Sequence, residues 1–378
     1  MISAFFVFLL LFVLTNGVFS LAVSLCLFRF DKEQIIAPFQ KLVFSLALGP
    51  FFTSLLLYYL LWLVPGLAPI FYVSVITLFF IVLALINIKY LPSLISAIQT
   101  RFHFINRTSE NDKNKFLLDL KFIKLYSSDY TLNYFNIITF IVLIILLWKW
   151  MWRLISEPII GHDMLEYAIQ AKYFALHRLI EYVENRYHPE TEFFYVGLHG
   201  FSFPLLGSWE VLFSELFGKT ENDYYFKSIT GYYSFLIFFT QFFWLKRVNI
   251  WLATVASIAL FFTYGFFITI TEYHIDSYRI FMIIAALISL AYAINYHSGL
   301  TLVLLGIFAG AQAFIHSFGV FVSVFIVIAF FLFYKSTWQK KIIHTLLITA
   351  IIMLMGGIHY VMDVLFGTGW IFQEIKYY

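Results

Sequence analysis

The chain has 378 residues, of which 62% are hydrophobic and 12% charged, with a formal net charge of +3. A soluble domain carries about a quarter charged residues, so this chain cannot clothe a water-exposed surface. The small charge and the lack of a basic stripe interleaved with stacking aromatics exclude nucleic acid as a partner. The single cysteine, Cys26, excludes a disulfide framework and a cysteine-rich metal site.

Apolar runs long enough to span a bilayer, ~20 residues each, recur throughout. They cover 3–28, 40–63, 68–91, 134–152, 224–245, 250–271, 277–296, 299–316, 318–334 and 342–366. The first run lacks the basic leader of a signal peptide and reads as a retained helix. Long unbroken runs exclude a membrane β-barrel, which needs ten-residue alternation. The expected fold is an all-α polytopic membrane protein of about 10–11 transmembrane helices. A further run, 201–217, is short and carries Pro204, Glu210 and Glu215. It either crosses or lies along the interface.

Basic loops mark the cytoplasmic side. Arg29, Lys32 and Lys41 fall there, as do Lys89, Arg101, Arg107, Lys113, Lys115, Lys121 and Lys124. Lys246 with Arg247, and Lys335 with Lys340 and Lys341, agree. The polar segment 92–130 reads as a cytoplasmic connector, where the pattern Asn106-Arg107-Thr108 would not meet the glycosylation machinery. Two parts follow: 1–133, a three-helix membrane segment with a basic loop, and 134–378, a membrane core with an external loop at 153–223.

That external loop contains one periodic segment. From Asp163, apolar residues recur at Leu165, Ala168, Ile169, Leu176, Leu179, Ile180 and Val183, the stripe of a 3.6-residue helix. Lys172 interrupts the stripe, where its stem can snorkel. Glu166, Gln170, His177, Glu181 and Glu184 take the other face. Such a helix lies in the interface plane. Asp163 stands at its start, where a carboxylate suits the dipole or caps the helix.

Ionisable residues gather in four short segments on the predicted external edge: His162-Asp163 with Glu166, His199-Gly200, Glu272 to Arg279 with His274 and Asp276, and His316-Ser317. Ionisable groups at membrane depth are costly and usually face an interior cavity. Clustering on one side suggests a shared aqueous site. Asp163 there is a candidate general base. For Asp276 a cap or solvated helix end is the plainer reading, with Arg279 at i+3 as a partner. A lone histidine such as His199 or His316 is more often structural than a ligand or phosphate contact. Asp163, Asp276 and His199 are candidate ligands of a divalent metal, although no strong metal-ligand spacing is present. No nucleophile elbow and no phosphate-cradling glycine loop occurs. The cofactor expectation is therefore none, or a divalent metal ion.

The stretch 161–320 resembles the GT-C class of membrane glycosyltransferases, in the manner of lipid-A aminoarabinose transferases and protein O-mannosyltransferases. The resemblance runs through Asp163, Tyr167-Ala168, His199-Gly200-Phe201-Ser202-Phe203-Pro204, Leu216-Phe217-Gly218, Asp276, and Gly306 to His316-Ser317-Phe318-Gly319. His162-Asp163-Met164 replaces the acidic pair usual in that class. The resemblance implies an inverting transfer of a sugar from a polyprenyl-phosphate donor to a lipid, glycan or protein acceptor. It implies a multi-pass protein of a bacterial plasma (inner) membrane, surrounded by membrane lipids, with its site on the external or periplasmic face. By the same resemblance Asp163 is the base or acceptor-orienting group and Asp276 supports the site or a metal. His199 and His316 contact the lipid phosphate, with His162, Glu166 and His274 nearby.

Three rival readings stand beside it. A lipid or polysaccharide transporter or flippase would place its polar residues near the bilayer midplane. An external-face polysaccharide polymerase or ligase would share the donor. A structural membrane subunit would make the cluster incidental.

Overall fold

The computed structural model describes residues 17–102, 134–156, 159, 162–180, 200–216, 224–248, 250–263 and 274–366. Helices account for nearly all of them, and no strand occurs among the described residues. In chain order the helices are α1 (Val18–Phe30), α2 (Pro38–Leu63), α3 (Pro69–Asn87), α4 (Leu91–Phe102), α5 (Tyr134–Ser156), α6 (His162–His177) and α7 (Ser202–Glu215). There follow α8 (Tyr224–Val248), α9 (Ile250–Phe262), α10 (Asp276–Tyr296), α11 (Gly299–Ile315), α12 (Phe318–Phe333), α13 (Trp338–Ile352) and α14 (Ile358–Phe366).

Among the described residues, four helical segments are long and apolar enough to cross a membrane: Pro38–Leu63, Pro69–Ile98, Asp276–Tyr296 and Trp338–Met362. Shorter apolar helices accompany them at Val18–Phe30, Leu252–Phe262, Gly299–Ile315 and Phe318–Phe333. Phe321 is 68% exposed and Leu346 63% exposed. Contiguous large apolar residues on an outer surface fit lipid as the solvent, not water. The chain is an all-α polytopic membrane protein.

Proline marks several helix starts. Pro38 and Pro69 sit at the first helical positions, where the missing N–H has no partner to lose. Pro50 lies inside α2 and cannot donate to the Leu46 carbonyl four residues back. The Tyr232 hydroxyl, reaching over from α8, donates to that carbonyl instead. The next carbonyl, of Ala47, receives the Tyr233 hydroxyl at 3.4 Å. The acceptor that the proline leaves empty is thereby matched by one phenol, and a second reaches its neighbour.

One continuous apolar core runs from Phe19 on α1 through Phe44, Phe51, Trp209, Tyr233 and Tyr278 to Ile352. Trp209 on α7 is fully buried, edge-on to Phe19, whose other side stacks on Phe80 at 4.3 Å. The N-terminal helices therefore pack directly on the segment that carries the candidate site. A smaller cluster of Trp150, Leu154, Phe238 and Phe261 joins α5, α8 and α9.

Three features depart from the sequence-based expectation. Helix α7 has 14 residues, about 21 Å at 1.5 Å per residue, short of the ~30 Å hydrocarbon thickness. Its residues from Ser202 to Leu212 are all buried. It is a core helix enclosed by protein. Residues 92–102, expected in the polar connector, belong to α4, with Pro92 in its first turn. The rest of that connector, with Asn106, lies outside the described residues.

The third concerns Lys41, which is not a loop charge. Its Nζ pairs with Asp31 Oδ2 at 2.7 Å, both side chains being nearly inaccessible. Asp31 also accepts the amides of Ile35 and Ile36 at 2.9 and 3.0 Å. The carboxylate thereby closes the α1–α2 turn. Arg29 is likewise engaged, donating to Asn87 Oδ1 at 3.0 Å.

Candidate functional site

Four segments meet at one end of the helical bundle. The centre is the start of α10. Asp276 is the first helical residue, one past the Ile275 cap position, and is about a quarter exposed. Its Oδ2 lies 2.8 Å from Nδ1 of His274, and its Oδ1 pairs with the Arg279 guanidinium at i+3. Both carboxylate oxygens are thus bound. The Asp276 backbone amide also points at this nitrogen, donating to His274 Nδ1 at 3.3 Å. Asp276 therefore orients the imidazole and balances the guanidinium, rather than standing open as a base.

His316 closes α11 in extended backbone and stands at the turn into α12. It lies within electrostatic reach of Asp276. The Phe318 amide donates to its Nδ1 at 2.9 Å. That bond makes Nδ1 the acceptor and leaves the proton of the neutral ring on Nε2. His316 is thus both a turn-forming residue and part of the same end of the bundle.

The third segment arrives through Gly200. Its φ is +86°, and a Cβ there would stand 2.8 Å from the carbonyl carbon and oxygen of Ile315. Only glycine combines that left-handed backbone with so close an approach. The next residue, Phe201, stacks on Tyr58 at 5.8 Å and meets Phe174 and His359 edge-on. Ser202 completes the anchor, its Oγ 2.8 Å from both Ser54 Oγ and Tyr278 OH. Tyr278 stacks on Tyr233 at 4.2 Å. A chain of buried hydroxyls therefore ties α2, α7, α8 and α10 together directly beneath Asp276.

The fourth segment is α6. Tyr167 packs edge-on against His274 at 6.5 Å and against Phe203 at 5.3 Å. Of the stripe, Leu165, Ile169 and Leu176 face outward, as for a helix at a lipid interface, whereas Ala168 and Ile180 are buried in the core. On the opposite face His177 is exposed, but the polar residues nearer the start of the helix are not. Glu166 is 4% and Gln170 2% exposed, buried on the protein side. In lipid the favourable direction for polar groups is inward, so this helix turns its carboxylate toward the core.

His162 and Asp163 begin α6, so Asp163 falls within its first turn; their side chains lie outside the described residues. His199 and Glu272 also lie outside them, although Gly200 is seated against α11. Among the described residues no group of three or more His, Cys, Asp and Glu is arranged to hold a metal ion.

The sequence reading missed the residues that hold this end together. Ser54, Ser202, Tyr233 and Tyr278 are ordinary in sequence, and Ser54 and Ser202 are 148 positions apart. His359 was missed too. It is buried, its Nδ1 is 2.8 Å from the Gly356 carbonyl, and its ring packs between Phe201 and Phe314. The signal for it was visible: the Gly356-Gly357 pair inside an apolar run, which winds into a π-turn over Met353–Gly357. Such bulges concentrate at functional positions.

No known family, no curated protein and no solved structure matches this chain.

Proposed function

We propose that the chain is a membrane glycosyltransferase that moves a sugar from a polyprenyl-phosphate donor to an acceptor at the external membrane face. The observation that carries this reading is the convergence of the 200, 274–279 and 313–317 segments with α6 at one end of the bundle. Asp276 is held there between His274 and Arg279. Group transfer from a lipid phosphate needs a polar site level with the headgroups, where a carboxylate takes the acceptor proton and cationic donors meet the departing phosphate. Asp163, at the start of α6, is the base in this reading. Asp276 is a positioning residue for His274.

A transporter would gather its polar groups near the midplane on broken helices. Across α10, α11 and α12 no Asp, Glu, Lys or Arg lies between Arg279 and Lys335, which favours chemistry at the edge of these helices, although Glu210 and Lys227 are buried in α7 and α8. The active face, the inner-membrane location and the inverting outcome belong to the same proposal.

The test is donor consumption. The purified chain is incubated with a panel of polyprenyl-phosphate hexoses and pentoses and a crude envelope acceptor fraction, and release of polyprenyl phosphate is measured. The proposal predicts release with at least one donor, and its loss in Asp163→Asn with the helical content retained. Release undiminished in Asp163→Asn refutes the base assignment. Transport of an intact lipid-linked sugar without release refutes the transferase reading.

A further inference from the structure

The other end of α10 carries a second cluster, unconnected with the transfer site. Helix α10 has 21 residues, about 30 Å, so its two ends lie one hydrocarbon thickness apart. At the far end His297 packs on the ring of Tyr334 at 4.5 Å. Tyr334 is buried, and its hydroxyl lies 2.7 Å from Nδ1 of His344. Donation by that hydroxyl leaves the ring proton of His344 on Nε2, a donor for an anion. Lys340 and His297 are within electrostatic reach of His344.

Lys341 extends the cluster, its Nζ 5.1 Å from the centre of the Phe331 ring. Phe331 also meets Trp338 edge-on at 5.4 Å. Lys335 and Lys340 are exposed. Among the described residues none of these three lysines has a carboxylate at ion-pair distance, and no Asp or Glu occurs between Asp276 and Asp363. Like charges crowded without a counter-charge are unfavourable unless an anion joins them.

The surroundings say which anion. Leu332, Phe333, Ile343 and Leu346 flank the lysines and are all more than 60% exposed. An exposed Trp338 beside them is the side chain that settles at the headgroup level. We infer that the Lys335–Lys340–Lys341 turn binds the phosphate headgroup of an anionic phospholipid. A free phosphate would use the same cations but would gain nothing from the apolar flank.

The full chain in neutral detergent is titrated with dioleoyl phosphatidylglycerol, with dioleoyl phosphatidylcholine and with inorganic phosphate, and bound lipid is counted by native mass spectrometry. Each lysine near an anionic headgroup accounts for roughly fivefold in affinity. Lys335→Gln/Lys340→Gln is therefore expected to weaken phosphatidylglycerol binding roughly 25-fold, leaving phosphatidylcholine binding unchanged. Both side chains are exposed, so folding is undisturbed, and Lys335→Arg/Lys340→Arg retains binding. The control Lys32→Gln/Lys89→Gln, exposed lysines of other turns, also retains it. Equal binding by parent and variant, equal loss in the control, or displacement of the lipid by millimolar phosphate overturns the inference.

Discussion

The hydroxyl of Tyr232 donates to the carbonyl of Leu46, the carbonyl that Pro50 leaves without its helical partner. Two helices distant in the chain thereby solve one local problem of the α2 backbone. A buried carbonyl without a partner costs about 1–3 kcal/mol. Tyr232→Phe is expected to lower stability by that amount. In a Pro50→Ala background the helix recovers its own N–H donor, and Tyr232→Phe should cost less. Thermal unfolding of the four proteins in detergent gives the coupling. Equal costs in both backgrounds would refute the pairing.

The buried ion pair of Asp31 and Lys41 predicts an asymmetry. Removing one charge leaves the other buried and uncompensated, at a cost of about 3–5 kcal/mol. Lys41→Met and Asp31→Asn should each destabilise strongly. The double variant should be less damaged than the sum of the two, although Asp31→Asn also weakens acceptance of the Ile35 and Ile36 amides. Additive losses in unfolding temperature would show that the two charges are not coupled.

Gly200→Ala tests the seat of the third segment. A left-handed alanine costs about 1–2 kcal/mol, and its Cβ meets the Ile315 carbonyl. The variant should unfold at lower temperature. It should also lose transfer more than Gly66→Ala, since Gly66 shares the positive φ but has open space around it. Equal effects at the two positions would mean that only backbone strain matters.

Ser202→Ala and Tyr278→Phe share one buried hydrogen bond. Their effects on stability should be non-additive by about 0.5–3 kcal/mol. A double-mutant cycle on unfolding temperature reads this directly, and strict additivity would exclude the bond.

Much of the fold was legible because an apolar run of spanning length has few alternatives. Helices α2, α10, α11 and α12 fall within a few residues of the runs that predict them. Helix α4 was overlooked although Leu91, Leu94, Ile95, Ile98 and Phe102 recur at helical spacing, because the basic residues that follow drew the whole segment into the connector. Lys41 was misread for a physical reason: positive-inside counting treats each lysine as solvated, and only the folded turn reveals its pairing with Asp31. Within the candidate site, the Asp276–Arg279 contact was legible from its i+3 spacing. The seat of Gly200 on Ile315 and the Ser54–Ser202–Tyr278 chain were not, because they exist only after distant helices pack. Glu166 was placed on the correct helix, yet its burial follows from the lipid on the opposite side, which no helical period records.

The proposed glycosyl transfer requires the lipid-linked donor to bind where the four segments meet. A photoreactive polyprenyl-phosphate sugar is irradiated with the full chain in bilayers of phosphatidylethanolamine and phosphatidylglycerol, and labelled peptides are mapped by mass spectrometry. Label is expected in 162–167, 274–279 and 313–317, suppressed by excess unlabelled polyprenyl phosphate. Label confined to the middle of α10 and α11, or spread along the lipid-facing surface of α12 and α13 and insensitive to competitor, would contradict it.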